Sequence, residues 1–173
     1  HGLQGTKEYP PIVKWINTRI SRSERKLPSE GDMLTEVDVK NMLAAAIHPR
    51  DKALLAMLWE SGARIGEIGN LSYKSVKFDK HGAVATVQGK TGSRNIRLIW
   101  CVPYLSTWMN CHPFRENGAS PLWLNIGTRN HLKAIQYRNI RELFLNLAKT
   151  AGIKKHVHPH LFRHSRATFM ANH

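Results

Sequence analysis

Cysteine is scarce, with Cys101 and Cys111 alone in 173 residues. Two thiols are too few for a disulfide framework and fit a reducing compartment, so a reducing cytoplasm is the expected location. Long apolar runs are absent as well. None approaches the roughly 20 residues needed to span a bilayer, and no signal-peptide core stands near the start. Acidic residues are few: 12 Asp and Glu face 26 Lys and Arg, a formal charge of +14. A membrane partner is therefore not expected, whereas a polyanionic one is, and nucleic acid fits it best. Many ribosomal proteins are equally basic, so charge alone names no function. Neither a GxGxxG stretch nor a Walker loop occurs, which leaves nucleotide binding without support. No internal repeat or low-complexity tract is visible.

What is present suffices for one sizeable core, because 42% of the residues are apolar. Residues 1–32 are rich in Lys, Arg, Ser and Pro and read as a linker or the stub of a preceding domain. The first residues, His1-Gly2, lack an initiating Met, and further sequence is expected beyond both ends. Thr35-Glu36-Val37-Asp38 reads as a capping-box start, and Val39, Met42, Leu43 and Ala46 follow the spacing of a buried helix face. A second helix is expected from Pro49 to Ser61, stopped by Gly62 in a left-handed conformation. A short third helix beginning near Ala63 would hold Arg64 and Glu67 three residues apart.

The pattern then changes to short β-branched segments at Ser75–Asp79, Ala83–Gln88 and Ser93–Ile99, separated by His81-Gly82 and Gly89-Lys90-Thr91-Gly92. That order predicts a three-stranded antiparallel meander. Helical spacing returns at Val102–Asn110 and Leu132–Thr150, the latter closed by Gly152. A last helix after Pro159 would carry His160, Arg163 and His164 at i, i+3 and i+4. The expected fold is α+β and mostly helical, with helices around a small three-stranded antiparallel sheet.

Three segments carry the chemistry. They are Ser61-Gly62-Ala63-Arg64-Ile65-Gly66-Glu67-Ile68, then Gly89-Lys90-Thr91-Gly92-Ser93-Arg94, then His160-Leu161-Phe162-Arg163-His164-Ser165-Arg166-Ala167-Thr168. Each is weak alone, but the ordered set resembles the catalytic domain of the tyrosine recombinase, or phage integrase, family over residues 33–173. Trp108–Pro113 with Pro121-Leu122-Trp123, and the stretch Arg163–Thr168, look most like archaeal members.

The resemblance implies a DNA recombinase that cleaves and rejoins strands through a 3′-phosphotyrosine, integrating or excising a mobile element without a cofactor. It assigns catalysis to Arg64, Lys90, His160 and Arg163, with Glu67 and His164 in support. It also implies double-stranded DNA as partner, a core-binding domain before residue 33, and a nucleoid-associated homotetramer held by exchange of a C-terminal segment. Two arginines suit the chemistry because they keep their charge at any workable pH and offer planar forks to phosphate oxygens. Lys90 on a turn would protonate the departing 5′ oxygen, while His160 would assist proton transfer or donate to the phosphate.

The nucleophile is the point of departure. Tyr9, Tyr73, Tyr104 and Tyr137 all precede His160, whereas the family's tyrosine lies some tens of residues beyond the H-x-x-R motif. The expectation is a catalytic domain lacking its C-terminal portion, able to bind DNA but not to cleave it.

Lys74, Lys77, Arg94, Arg97 and Arg166, with Arg129 and Lys133, are candidate backbone contacts to DNA. Simpler alternatives stand beside these assignments. Arg64 and Lys90 could be solvated, and His160 and Arg163 could belong to a basic helix face touching phosphate without chemistry. Glu67 could form a structural ion pair with Arg64 or another base, and His164 could be a satisfied, partly buried histidine. A metal site at His156, His158 and His160, or at Cys101 with Cys111-His112, lacks the spacing of structural zinc sites and is not expected. Trp100, Trp108, Trp123 and Phe144 fit core better than base-stacking platforms. Two other readings remain open: a non-catalytic DNA-binding module derived from a recombinase, and a type IB topoisomerase, against which the compact domain and the H-x-x-R-H-S stretch argue.

Overall fold

Thr35 starts the first helix by accepting the Asp38 amide on its side chain, while the Asp38 carboxylate takes the Thr35 N–H at 2.8 Å. This reciprocal cap satisfies two of the donors a helix start leaves free. The computed structural model describes residues 30–172 except Thr91 and Arg129. Residues from Asp32 onward form one packed unit. The linker expected at residues 1–32 lies outside the described residues, apart from a 3₁₀ turn at Glu30–Asp32.

Six α-helices and three strands follow among the described residues: α1 (Glu36–Ala45), α2 (Pro49–Ser61), α3 (Ile65–Gly69), β1 (Val76–Asp79), β2 (Gly82–Gly89), β3 (Gly92–Leu98), α4 (Val102–Asn110), α5 (Tyr137–Thr150) and α6 (Pro159–Ala171). The core centres on α2, whose Ala53, Leu54, Leu55, Ala56, Met57 and Leu58 are all fully buried. Each of its leucines contributes about 1.5–3 kcal/mol by leaving water. Helices α1, α4 and α6 pack against α2, as does β3. His48 caps α2 by accepting the Arg50 N–H on Nδ1, and Gly62 ends it at φ 54°.

The sheet is an antiparallel meander ordered β1-β2-β3, in which Val84 pairs with Arg97, Thr86 with Asn95 and Gly89 with Gly92. Val76, Ala83, Ala85, Val87 and Leu98 form its buried face. Trp108 and Trp123 are core residues whose indole N–H groups donate to the carbonyls of Leu122 (2.9 Å) and Ile68 (2.7 Å). Phe144 is fully buried, and Trp100 is partly buried against the same core. Among the described residues, no helix is long and apolar enough to cross a membrane.

Two helix starts differ from the sequence expectation. The helix expected from Leu132 begins at Tyr137. Residues before it spend their amides elsewhere: Leu132 N–H donates to Asn125 O and Ile135 N–H to Trp123 O, with Asn130 and Leu132 at φ 56° and 60°. A side-chain periodicity of 3.6 does not reveal that competing backbone pairing. The third helix begins at Ile65, so Arg64 is its N-cap residue rather than a member of its first turn.

Candidate active site

The N-terminus of α3 is built around a buried carboxylate. Glu67 accepts the Arg64 backbone N–H at 3.0 Å and the Arg64 guanidinium at 3.2 Å. The same carboxylate takes a two-pronged contact from Arg94 of β3, at 3.0 and 2.7 Å. Glu67 is only 5% exposed on its side chain, while Arg64 and Arg94 are 61% and 44% exposed. The Arg94 guanidinium, foremost, holds the Glu67 carboxyl down from an ordinary 4.5 to about 2, against the opposing effect of burial. Glu67 is thus ionised throughout any physiological range, and the other base that the sequence left unnamed is Arg94.

The end of β2 lies against this pair. A Cβ at Gly89 would lie 3.0 Å from Glu67 Oε1 and 3.3 Å from Arg94 Nη1. Glycine therefore lets the backbone approach the ion pair closely. Lys90 follows directly and is exposed.

Helix α6 joins from the other side. The half-buried Arg163 donates from Nη1 to the Gly62 carbonyl at 2.8 Å, two residues before Arg64. His160 and His164 are exposed on the same helix, one turn apart. Its N-cap is His158, whose Nδ1 accepts the Leu161 N–H at 3.3 Å. Burial, then the neighbouring His156, His160, His164 and Arg141, lowers the His158 pKa and favours the neutral ring that a capping acceptor requires. The three sequence segments, more than 90 residues apart at their extremes, thus meet through Arg163 on Gly62, Arg64 on Glu67, and Glu67 on Arg94 beside Gly89.

Other expected residues fall in several places. Lys74 and Lys77 are exposed and line, with Glu67, Asn70, Thr86 and Gln88, a groove of about 500 Å³. Arg97 pairs with Asp79 at 2.6 Å on the exposed sheet face. Arg166 lies half-buried over the rings of Trp59 and Phe169, 5.8 and 5.2 Å from their centroids. Lys133 is part of the turn before α5, its amide donating to Asn130 O, and Arg129 lies outside the described residues.

No group of three or more His, Cys, Asp or Glu among the described residues is arranged to hold a metal ion. Both His112 ring nitrogens are engaged with backbone, at Pro121 O and Phe114 N. Burial and then Glu60 push the Cys101 thiol pKa up. Of the described tyrosines, Tyr73 donates its hydroxyl to Met109 O at 3.2 Å, Tyr104 packs at a tilt against Trp100, and Tyr137 is exposed at the start of α5.

Two supporting residues escaped sequence reasoning. Ser165 accepts the buried Leu34 N–H at 2.8 Å, tying α6 to the approach to α1. Glu60 accepts the N–H groups of Ile99, Trp100 and Cys101, fixing the end of β3 to α2. Only the adjacency of Ser165 to the H-x-x-R-H stretch hinted at the first, and nothing local at the second.

The sequence profile described as the phage integrase family matches residues 32–173. The chain belongs to the phage integrase family. Tyrosine recombinase XerC of Serratia marcescens is 30% identical over 160 residues, spanning 88% of this chain and 49% of that protein. XerC of Escherichia coli (strain K12 / DH10B) is 30% identical over 158 residues, 86% of this chain and 49% of that one. The chain therefore spans about half the length of the curated relatives it matches. Among solved structures, XerA recombinase superposes with a TM-score of 0.68 at 26% identity, over 80% of this chain and 49% of that one. XerH site-specific recombinase, bound to its difH substrate in a pre-cleavage complex, gives 0.65 over 82% and 43%. At 17% identity that likeness speaks for the fold alone. Helices around a three-stranded antiparallel sheet are thus the tyrosine recombinase catalytic-domain fold.

Proposed function

We propose that the protein cleaves and rejoins double-stranded DNA as a site-specific recombinase, through a 3′-phosphotyrosine whose tyrosine lies outside these 173 residues. The observation that supports this reading is the run of contacts from Arg163 on the Gly62 carbonyl, two residues before Arg64, through Arg64 on Glu67 to Gly89, the residue before Lys90, which brings the three sequence segments into one region. Attack by a tyrosine oxygen on phosphorus spreads negative charge over the nonbridging oxygens, and donors fixed in advance stabilise it. Arg64 and Arg163 supply those donors as permanent cations. As the bond to the 5′ oxygen breaks, Lys90 delivers a proton to the leaving oxygen, and rejoining reverses the step. His160 assists proton transfer or donates to the phosphate, and His164 supports it from the next turn. The phosphotyrosine stores the cleaved bond, so no external energy source enters.

Lys74, Lys77 and Arg97 contribute sequence-independent contacts to the DNA backbone. The working assembly is a homotetramer on two duplexes joined by exchange of a C-terminal segment, in the cytoplasm at the nucleoid. The test is covalent trapping on nicked, labelled target DNA in EDTA, comparing a chain of the relatives' full length with the 173-residue chain. An adduct formed only by the longer chain supports the reading. No adduct from either, on a site that both bind, makes the protein a DNA-binding module instead.

A further inference from the structure

We propose that Arg94, which charge alone marks as a DNA contact, is instead a positioning residue that holds Arg64 and the Lys90 turn in register through Glu67. This inference rests on the recombinase reading above. The Arg94 fork occupies both oxygens of the Glu67 carboxylate, at 3.0 and 2.7 Å, in the planar match that guanidinium and carboxylate allow. For Arg94 to turn that fork on a phosphate, Glu67 would keep only Arg64 as counter-charge while remaining buried, and a buried carboxylate deprived of a partner is costly.

The charge balance agrees. One carboxylate between two guanidinium groups leaves the site cationic, so the pair anchors Arg64 without repelling a phosphate. Geometry extends the effect to Lys90, because Gly89, the residue before it, has room for no side chain against Glu67 Oε1 and Arg94 Nη1. Loss of the Arg94 fork frees Glu67 to rotate, and with it both the Arg64 N-cap and the floor of the turn. The charged groups around Glu67 are Arg64 from the start of α3, Arg94 from β3, and Lys74 and Lys77 across the groove they share with it.

The experiment compares wild type, Arg94→Gln and Arg94→Lys in a chain of the relatives' full length. It measures DNA affinity against salt, and single-turnover adduct formation at pH 5 and pH 7.5. A positioning role predicts that Arg94→Gln leaves affinity within about twofold and the salt slope unchanged, while adduct formation falls on the order of 10². It also predicts a larger deficit relative to wild type at pH 5 than at pH 7.5, as Glu67 loses its main counter-ion and begins to protonate. Arg94→Lys, with one donor in place of a fork, should fall between the two, and thermal midpoints that are lowered but remain well above the assay temperature for both variants exclude misfolding as the cause. A salt slope reduced by about one, with adduct formation from the saturated complex unchanged, would make Arg94 a phosphate contact and overturn the proposal. A wild-type chain that binds but forms no adduct overturns the recombinase reading itself, an outcome distinct from either.

Discussion

A single buried carboxylate gives this domain a measurable acid sensitivity. Glu67 has a folded pKa of about 2 against an ordinary 4.5, with Arg94 the leading cause. A depressed carboxylate contributes stability that is complete above its unfolded pKa and is lost as pH falls toward its folded one. The window therefore runs from about pH 4.5 down to about pH 2. Discounted for the half-exposed arginines, the contribution is on the order of 2 kcal/mol. Asp79, through Arg97, and Asp38, through Lys155 and Thr35 against burial, are also held below their ordinary values, so acid weakens the fold at several points. Glu67→Gln isolates one of them. Urea midpoints should show wild type ahead of this variant at pH 7, with the gap closing below pH 4. A gap independent of pH would mean that the charge on Glu67 contributes nothing.

Element boundaries here are decided by backbone geometry that side chains advertise unevenly. Thr35, Pro49 and Gly62 announce the limits of α1 and α2, because capping needs a short polar acceptor and the left-handed turn favours glycine. The start of α5 was not legible: Leu132 sits at φ 60° and its amide is committed to the Asn125 carbonyl, a backbone pairing that side-chain spacing does not advertise. Two glycines test how geometry sets the cost of a methyl group. Gly152, at φ 70°, follows α5 with nothing within 4 Å of an added Cβ. Gly152→Ala should cost about 1 kcal/mol, from backbone strain alone. Gly82, at φ 129° at the start of β2, would drive its Cβ into the Leu98 carbonyl oxygen. Gly82→Ala should cost about 3 kcal/mol or more, since backbone on both sides must shift. Thermal melts should place Gly152→Ala within a few degrees of wild type and Gly82→Ala well below it. Equal melts would contradict the conformation of the β1–β2 turn.

At the scale of the whole molecule, the sequence brought forward the residues proposed for the cationic centre but not the contacts that surround them. Arg64, Lys90, His160 and Arg163 stand out because their motifs occur in order. The Arg94 fork on Glu67 and the Arg163 contact to Gly62 depend on how β3 and α6 pack, which no spacing encodes. The same division separates two kinds of variant in a chain of the relatives' full length. Under the proposed function, a net charge of +14 should make affinity for DNA fall steeply with salt, each lysine that only neutralises phosphate contributing about one to that slope. Lys77→Ala, altering an exposed lysine on the groove, should reduce the slope by about one and leave adduct formation from the saturated complex unchanged. Arg163→Ala should do the opposite. In its proposed role Arg163 donates most when charge develops on the phosphate, so its loss should cut adduct formation at least about 10³-fold while affinity drops only a few-fold. Affinity and adduct yield measured across a salt series separate the two variants. If Arg163→Ala lost binding and chemistry in equal proportion, Arg163 would be one more phosphate contact on a basic helix face, and the catalytic assignment of the centre would fall with it.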